Sequence, residues 1–170
     1  IAAAMQNNGY KFPRADLTVN LAPADLRKEG SSFDLPLAIA ILTASGQMDA
    51  PELDRYMMVG ELSLDGKLQP VKGVLPIAIK ARSEHFKGLI VPKQNVHEAA
   101  IVNKLEVYGL ETMTDVVAFL TGVKQFEPTA VDTRKIFYEQ QYNFDLDYAD
   151  VRGQESVKRA LEVAAGGGHN

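Results

Sequence analysis

The chain is predicted to form a mixed α/β (α+β) domain, for three reasons. Short apolar strand-like runs alternate with helix-patterned stretches up to about residue 122. A strong turn signal, Asp65-Gly66, separates two short apolar runs. A loop at residues 23–32 feeds a helix in which Leu35, Ala38, Ile39 and Leu42 recur at helical spacing. The organising stretch is 28–74, which holds this loop–helix entry and the hairpin.

Residues 1–8 read as the end of an Ala-rich helix stopped by Asn7-Asn8-Gly9. A helix that short is not stable alone, so an upstream part is expected. After Pro13, residues 16–21 alternate apolar Leu17, Val19 and Leu21 with polar Thr18 and Asn20, the pattern of a half-buried strand. In the next helix Asp34 is a candidate cap and Pro36 sits in the first turn, where no N–H is needed; the helix runs to about Ser45 and stops at Gly46. A strand is expected over 56–62, then the Asp-Gly hairpin, then a helix over 74–86 with Leu75, Ala78, Ile79, Arg82 and Phe86 on one face. Further strands are expected at 89–91 and 105–108, and helices at 95–103 and 114–120. Residues 123–146 change character and read as a linker that packs in places through Phe137, Tyr138, Tyr142 and Phe144. A last helix follows Asp150, with Val157, Ala160, Leu161 and Ala164 at i, i+3, i+4 and i+7.

The 170 residues suit one domain plus the start of another, and the apolar share of 46% is ordinary for a globular protein. There are no cysteines, which excludes disulfides, a thiolate nucleophile and a Cys-based zinc site, and fits a reducing, cytoplasmic setting. No apolar run reaches the roughly 18–20 residues of a membrane helix, so no membrane partner is expected. A formal charge of −4 and a pI of about 5.4 count against strong autonomous nucleic-acid binding.

Four blocks occur in order: Val-Asn-Leu-Ala-Pro-Ala-Asp-Leu-Arg-Lys-Glu-Gly-Ser-Ser-Phe-Asp-Leu-Pro (19–36), Val-Gly-Glu-Leu-Ser-Leu-Asp-Gly (59–66), Pro-Val-Lys-Gly-Val-Leu-Pro-Ile-Ala (70–78) and Asp-Val-Arg-Gly-Gln-Glu (150–155). Together they resemble the YifB/ComM family of magnesium-chelatase-like AAA+ ATPases, whose N-terminal part has the Lon-protease-like fold shared with Lon and RadA. The resemblance implies an accessory domain over 1–122, a linker over 123–146 and the start of an AAA+ module over 147–170, ahead of its phosphate loop. It implies a hexameric motor that uses ATP and magnesium and processes DNA, as in branch migration during natural transformation, with no cofactor held by this stretch alone.

Within that resemblance Ser32 falls at the Lon nucleophile position. A Ser–Lys dyad needs a lysine made basic by burial. The matching position is Leu75, and Lys72 lies three residues earlier. No catalytic residue is therefore expected, and Ser31 and Ser32 read as turn and cap residues. The resemblance places Val151, Gly153 and Gln154 beside the adenine of the complete ATPase. The run Gly166-Gly167-Gly168 is not a phosphate loop, because no Lys-Ser/Thr follows it. Arg27 and Lys28 are the candidate nucleic-acid contacts, through phosphate. His85, His97 and His169 are scattered, and no metal site is expected. Two alternatives remain: a Lon-type Ser–Lys peptidase, which a lysine at 75 would favour, and a magnesium-chelatase-like subunit acting on a protein or metallo-cofactor partner.

Overall fold

A computed structural model describes residues 1–14, 16–20, 31–131 and 150–168. Leu21, Arg27, Lys28, the aromatics expected to pack at 137–144, and His169 lie outside the described residues. The chain divides into two compact units, Ile1–Val131 and Asp132–Asn170.

The first unit is built on a parallel sheet of β1 (Tyr56–Met58), β4 (Gly88–Pro92) and β5 (Glu106–Leu110), in the order β1-β4-β5. Every residue of the central strand β4 is buried, as expected of a parallel strand covered on both faces. The period of two splits the sheet between two cores. Ile90, Tyr108 and Leu110 face α1 (Ala2–Asn7), α2 (Asp34–Ala44) and α5 (Met113–Leu120). Leu89, Val91 and Val107 face α3 (Val74–Ser83) and α4 (Val96–Ala99). A small antiparallel ribbon, β2 (Glu61–Leu62) with β3 (Leu68–Gln69), stands apart from the sheet. The second unit contains α6 (Glu155–Gly166).

Several expectations need correction. The strand over 56–62 is two strands: Gly60 leaves the sheet and turns both of its backbone groups toward the start of α2, accepting from the Leu35 N–H at 3.0 Å and donating to the Ser32 carbonyl at 3.0 Å. The hairpin is not a two-residue turn. Its loop covers residues 63–67, closed by the Ser63 N–H, which donates to the Lys67 carbonyl at 3.0 Å, and by the Ser63 hydroxyl, which accepts from the Lys67 N–H at 3.1 Å. Gly66, at φ 83°, supplies the left-handed step of this loop, and a side chain there would collide with Asn8.

Asp34 does not cap α2. The chain arrives through an αR turn, with the Asp34 N–H on the Ser31 carbonyl at 3.0 Å, so Asp34 is already helical. Its carboxylate instead accepts from the Leu62 N–H at 3.4 Å. Helix α3 ends at Ser83, short of the expected Phe86, and buries Val74, Ala78 and Ala81. Ile79, expected on that face, is 47% exposed. The small alanines let the helix lie close to β4, and the bulky aliphatics are left on its flanks. His85 lies beyond the helix in the left-handed region, at φ 62°. Residues 16–20, expected as a strand, belong to no strand or sheet among the described residues.

Candidate functional site

The serine turn is held by backbone. Ser31, Ser32 and Phe33 form the bend into α2, and Phe33 is the N-cap residue with no side-chain hydrogen bond. Ser32 is half-buried, and its carbonyl oxygen receives the Gly60 N–H. The role expected of Ser31 and Ser32, turn formation, is therefore carried by their main-chain groups. Residue 60 suits glycine: a β-carbon there would meet Leu68 Cδ2 at 3.2 Å and Leu35 Cδ2 at 3.4 Å.

The start of α3 is held from α4. Gly73, at φ 75°, is its N-cap and offers no side chain to the orphan N–H groups. Glu98 supplies the missing acceptor, its Oε1 receiving the Leu75 N–H at 3.0 Å. The same helix entry places Asn95, 7% exposed, beside Val71. Asn95 Oδ1 accepts from the Val71 N–H at 3.0 Å, and Nδ2 donates to the Val71 carbonyl at 2.8 Å. Leu75 is half-buried against the second core, and Lys72 is exposed. No side chain at the start of α3 offers a buried amine.

Asn95 and Glu98 were missed in the sequence. Each stands in a polar stretch, Lys93-Gln94-Asn95 and His97-Glu98, that carries no local sign of a buried role. Glu61 and Asp65 do not form an acid/base pair: Asp65 is engaged by Ser63 and Lys67 inside the hairpin loop. The Ser63 hydroxyl donates to the Asp65 carboxylate and, with Lys67, holds its pKa down at about 2. His85 and His97 are exposed and far apart in the chain. Among the described residues, no group of three or more His, Asp or Glu side chains is placed to hold a metal ion. No helix among them is long and apolar enough to cross a membrane.

The proposed adenine-side residues sit at the start of α6. Val151, Gly153 and Gln154 are exposed, and Gly153 (φ 73°) and Gln154 (φ 58°) both turn left-handed before Glu155 opens the helix. They present an aliphatic side chain, an amide side chain and backbone groups. Gly166 is the last residue of α6, so the glycine run closes a helix and does not cradle anions at the start of one.

Residues 1–131 thus form a mixed α/β unit with a serine turn ahead of α2 and leucine at residue 75. The family described as subunit ChlI of Mg-chelatase matches residues 1–95. The chain is 45% identical over 174 residues to competence protein ComM of Haemophilus influenzae, covering 100% of this chain and 33% of ComM. It is 42% identical over 173 residues to YifB of Escherichia coli, covering 100% of this chain and 32% of YifB. A more distant relative is Lon protease 2 of Syntrophobacter fumaroxidans, 26% identical over 122 residues, covering 68% of this chain and 15% of that protease. The chain thus spans about a third of the length of ComM and YifB. It belongs to the magnesium-chelatase-like AAA+ family that contains ComM and YifB.

Proposed function

We propose that this chain is a non-proteolytic Lon-like accessory domain joined to the opening of an AAA+ module. The whole protein would then be a hexameric, ATP- and magnesium-dependent motor acting on DNA. The observation that carries the first part is residue 75. A Ser–Lys dyad requires a desolvated amine beside the serine. Here a leucine stands at that position, its N–H engaged by Glu98, and the nearest lysine is exposed. The DNA reading is supported by 45% identity to a protein named for competence. In the complete protein, ATP would supply the free energy of phosphoryl transfer. The part of this chain would be limited to packing Val151 and the backbone of Gly153 and Gln154 against the base.

Two assays on the full-length protein test this reading. ATP hydrolysis should rise when branched or single-stranded DNA is added, and unfolded casein should remain intact. Casein cleavage that disappears in Ser32→Ala would establish the peptidase. ATP turnover indifferent to DNA but stimulated by a dedicated protein partner would establish the chelatase-like reading. For this stretch alone, DNA binding should be weak and salt-sensitive, and Arg27→Ala with Lys28→Ala should flatten the log–log salt slope by about 0.9 per lost duplex phosphate contact.

A further inference from the structure

The residues that follow α5 cross the sheet as a strap. Residues 123–131 form no helix or strand, yet they are held at both ends and in the middle. The Lys124 N–H donates to the Ala118 carbonyl at 3.0 Å, which closes α5 and turns the chain away. Phe126 then packs against the first core, edge-on to Phe119 with 6.1 Å between ring centroids. Phe119 lies 4.5 Å from Tyr108 and 5.2 Å from Tyr56, so Phe126 ends a cluster of four rings. Lys124 braces it, with Nζ 4.5 Å from the Phe126 ring and 3.1 Å from the Asp115 carboxylate. Three residues on, the Thr129 N–H donates to the carbonyl of Val107 in β5 at 2.8 Å. Val131 packs against the second core. The strap therefore starts on one face of the sheet, crosses β5 at Thr129 and ends on the other face. The boundary between the two units follows at once, between Val131 and Asp132.

The hold on this strap is local. Phe126, Thr129 and Val131 are only half-buried, and the residues around them are exposed. The buried apolar side chains of both cores end at Leu120, so neither core is built on the strap. A segment fixed by a few half-buried contacts opens at a lower free energy than the strands beneath it. We propose that residues 123–131 are a detachable strap that sets the reach of the connection between the two units. Docked, the connection begins at Asp132. Released, it begins after Gly122 and gains the strap's own length, about 30 Å when extended. Phe126 is the anchor, because its ring joins the cluster that spans α5, β5 and β1. The use of such a device rests on the reading of the second unit as the opening of an AAA+ module: the module could then shift during its nucleotide cycle and remain tied to the accessory domain.

Amide hydrogen exchange of the 170-residue chain, read by NMR, tests this, with the Ile90 amide of the central strand reporting global unfolding. The expected result is a protected Thr129 amide that exchanges about tenfold or more faster than Ile90, and faster again by a similar factor in Phe126→Ala while Ile90 stays slow. An unprotected Thr129 amide overturns the docked state. One common rate for Thr129 and Ile90 overturns detachment, because the strap then opens only when the unit unfolds. The chain has no cysteine, so His97→Cys with Glu162→Cys, both exposed positions, takes two spin labels without background. The distance distribution between the labels should lengthen and broaden in Phe126→Ala. Thr129→Pro, which deletes the donor and leaves Phe126 in place, should have the same effect. A distribution unchanged in both variants overturns the role in reach. Neither measurement involves nucleotide or DNA, so a full-length protein without DNA-stimulated ATP turnover would count against the proposed function and not against the strap.

Discussion

Asn95 treats Val71 as a neighbouring strand would: one side-chain amide satisfies both the N–H and the carbonyl of a residue 24 positions away. The pair is buried, so either backbone group left alone would bear a full desolvation cost. It fixes the chain between β3 and α3, the stretch that carries Lys72 and leads to Leu75.

Asn95→Ala should therefore destabilise the unit by about 2–4 kcal/mol, since two buried groups lose partners at about 1–2 kcal/mol each. Asn95→Asp should cost nearly as much, because a carboxylate can receive the Val71 N–H but repels its carbonyl. Urea unfolding of the variants checks both, and a shift below about 0.5 kcal/mol for Asn95→Ala would show the bonds to be replaceable by water.

Gly109 marks the closest approach of α4 to the sheet. A β-carbon there would lie 2.8 Å from Val96 Cβ and 2.9 Å from its Cγ2. Gly109→Ala should cost about 1–3 kcal/mol through overpacking. Adding Val96→Ala should return only part of this, because the Cβ contact persists. A double-mutant cycle in urea measures the coupling.

Asp65 should titrate near pH 2, well below the ordinary 3.8. The Ser63 hydroxyl bond is the first cause, followed by the Lys67 side chain and N–H. A lowered folded-state pKa means that the ionised form favours the hairpin loop above about pH 4, and that this contribution is lost as pH falls from 3.8 toward 2. The carboxyl carbon shift followed by NMR should show this, and Ser63→Ala should move the midpoint up toward 3.8. An unchanged midpoint in that variant would remove Ser63 as the cause.

Thr112 and Asp115 form a reciprocal cap on α5. The threonine Oγ1 accepts from the Asp115 N–H at 3.0 Å and donates to the Asp115 carboxylate at 2.8 Å. Thr112→Ala should cost about 1 kcal/mol, and Thr112→Ser should restore most of it. Thermal unfolding of the two variants distinguishes a cap from a passive surface residue.

The sequence made some of this fold readable and concealed other parts for physical reasons. Helix α2 was legible because Leu35, Ala38, Ile39 and Leu42 all face the core. In α3 the same reading placed Ala78 on the buried face, but it carried that face to the large Ile79, which is exposed, where close packing on the sheet selected Val74 and Ala81. The hairpin signal was sound, but the loop length depended on the Ser63 hydroxyl, which competes with backbone partners in a way spacing does not show. The serine turn and the leucine at position 75 were visible from motif order. Asn95 and Glu98 were not, because each acts on a backbone group more than twenty positions away, which no local pattern encodes.

The turn before α2 binds through the carbonyl of Ser32, a group that every amino acid possesses. These bonds to Gly60 do not call on the hydroxyl that makes the motif look enzymatic. A scaffold of this kind can gain or lose a nucleophile at residue 32 without rebuilding the turn, so chemistry and architecture there are free to change independently. On the reading proposed above, activity would then turn on residue 75, where a side chain and not a peptide group would have to do the work.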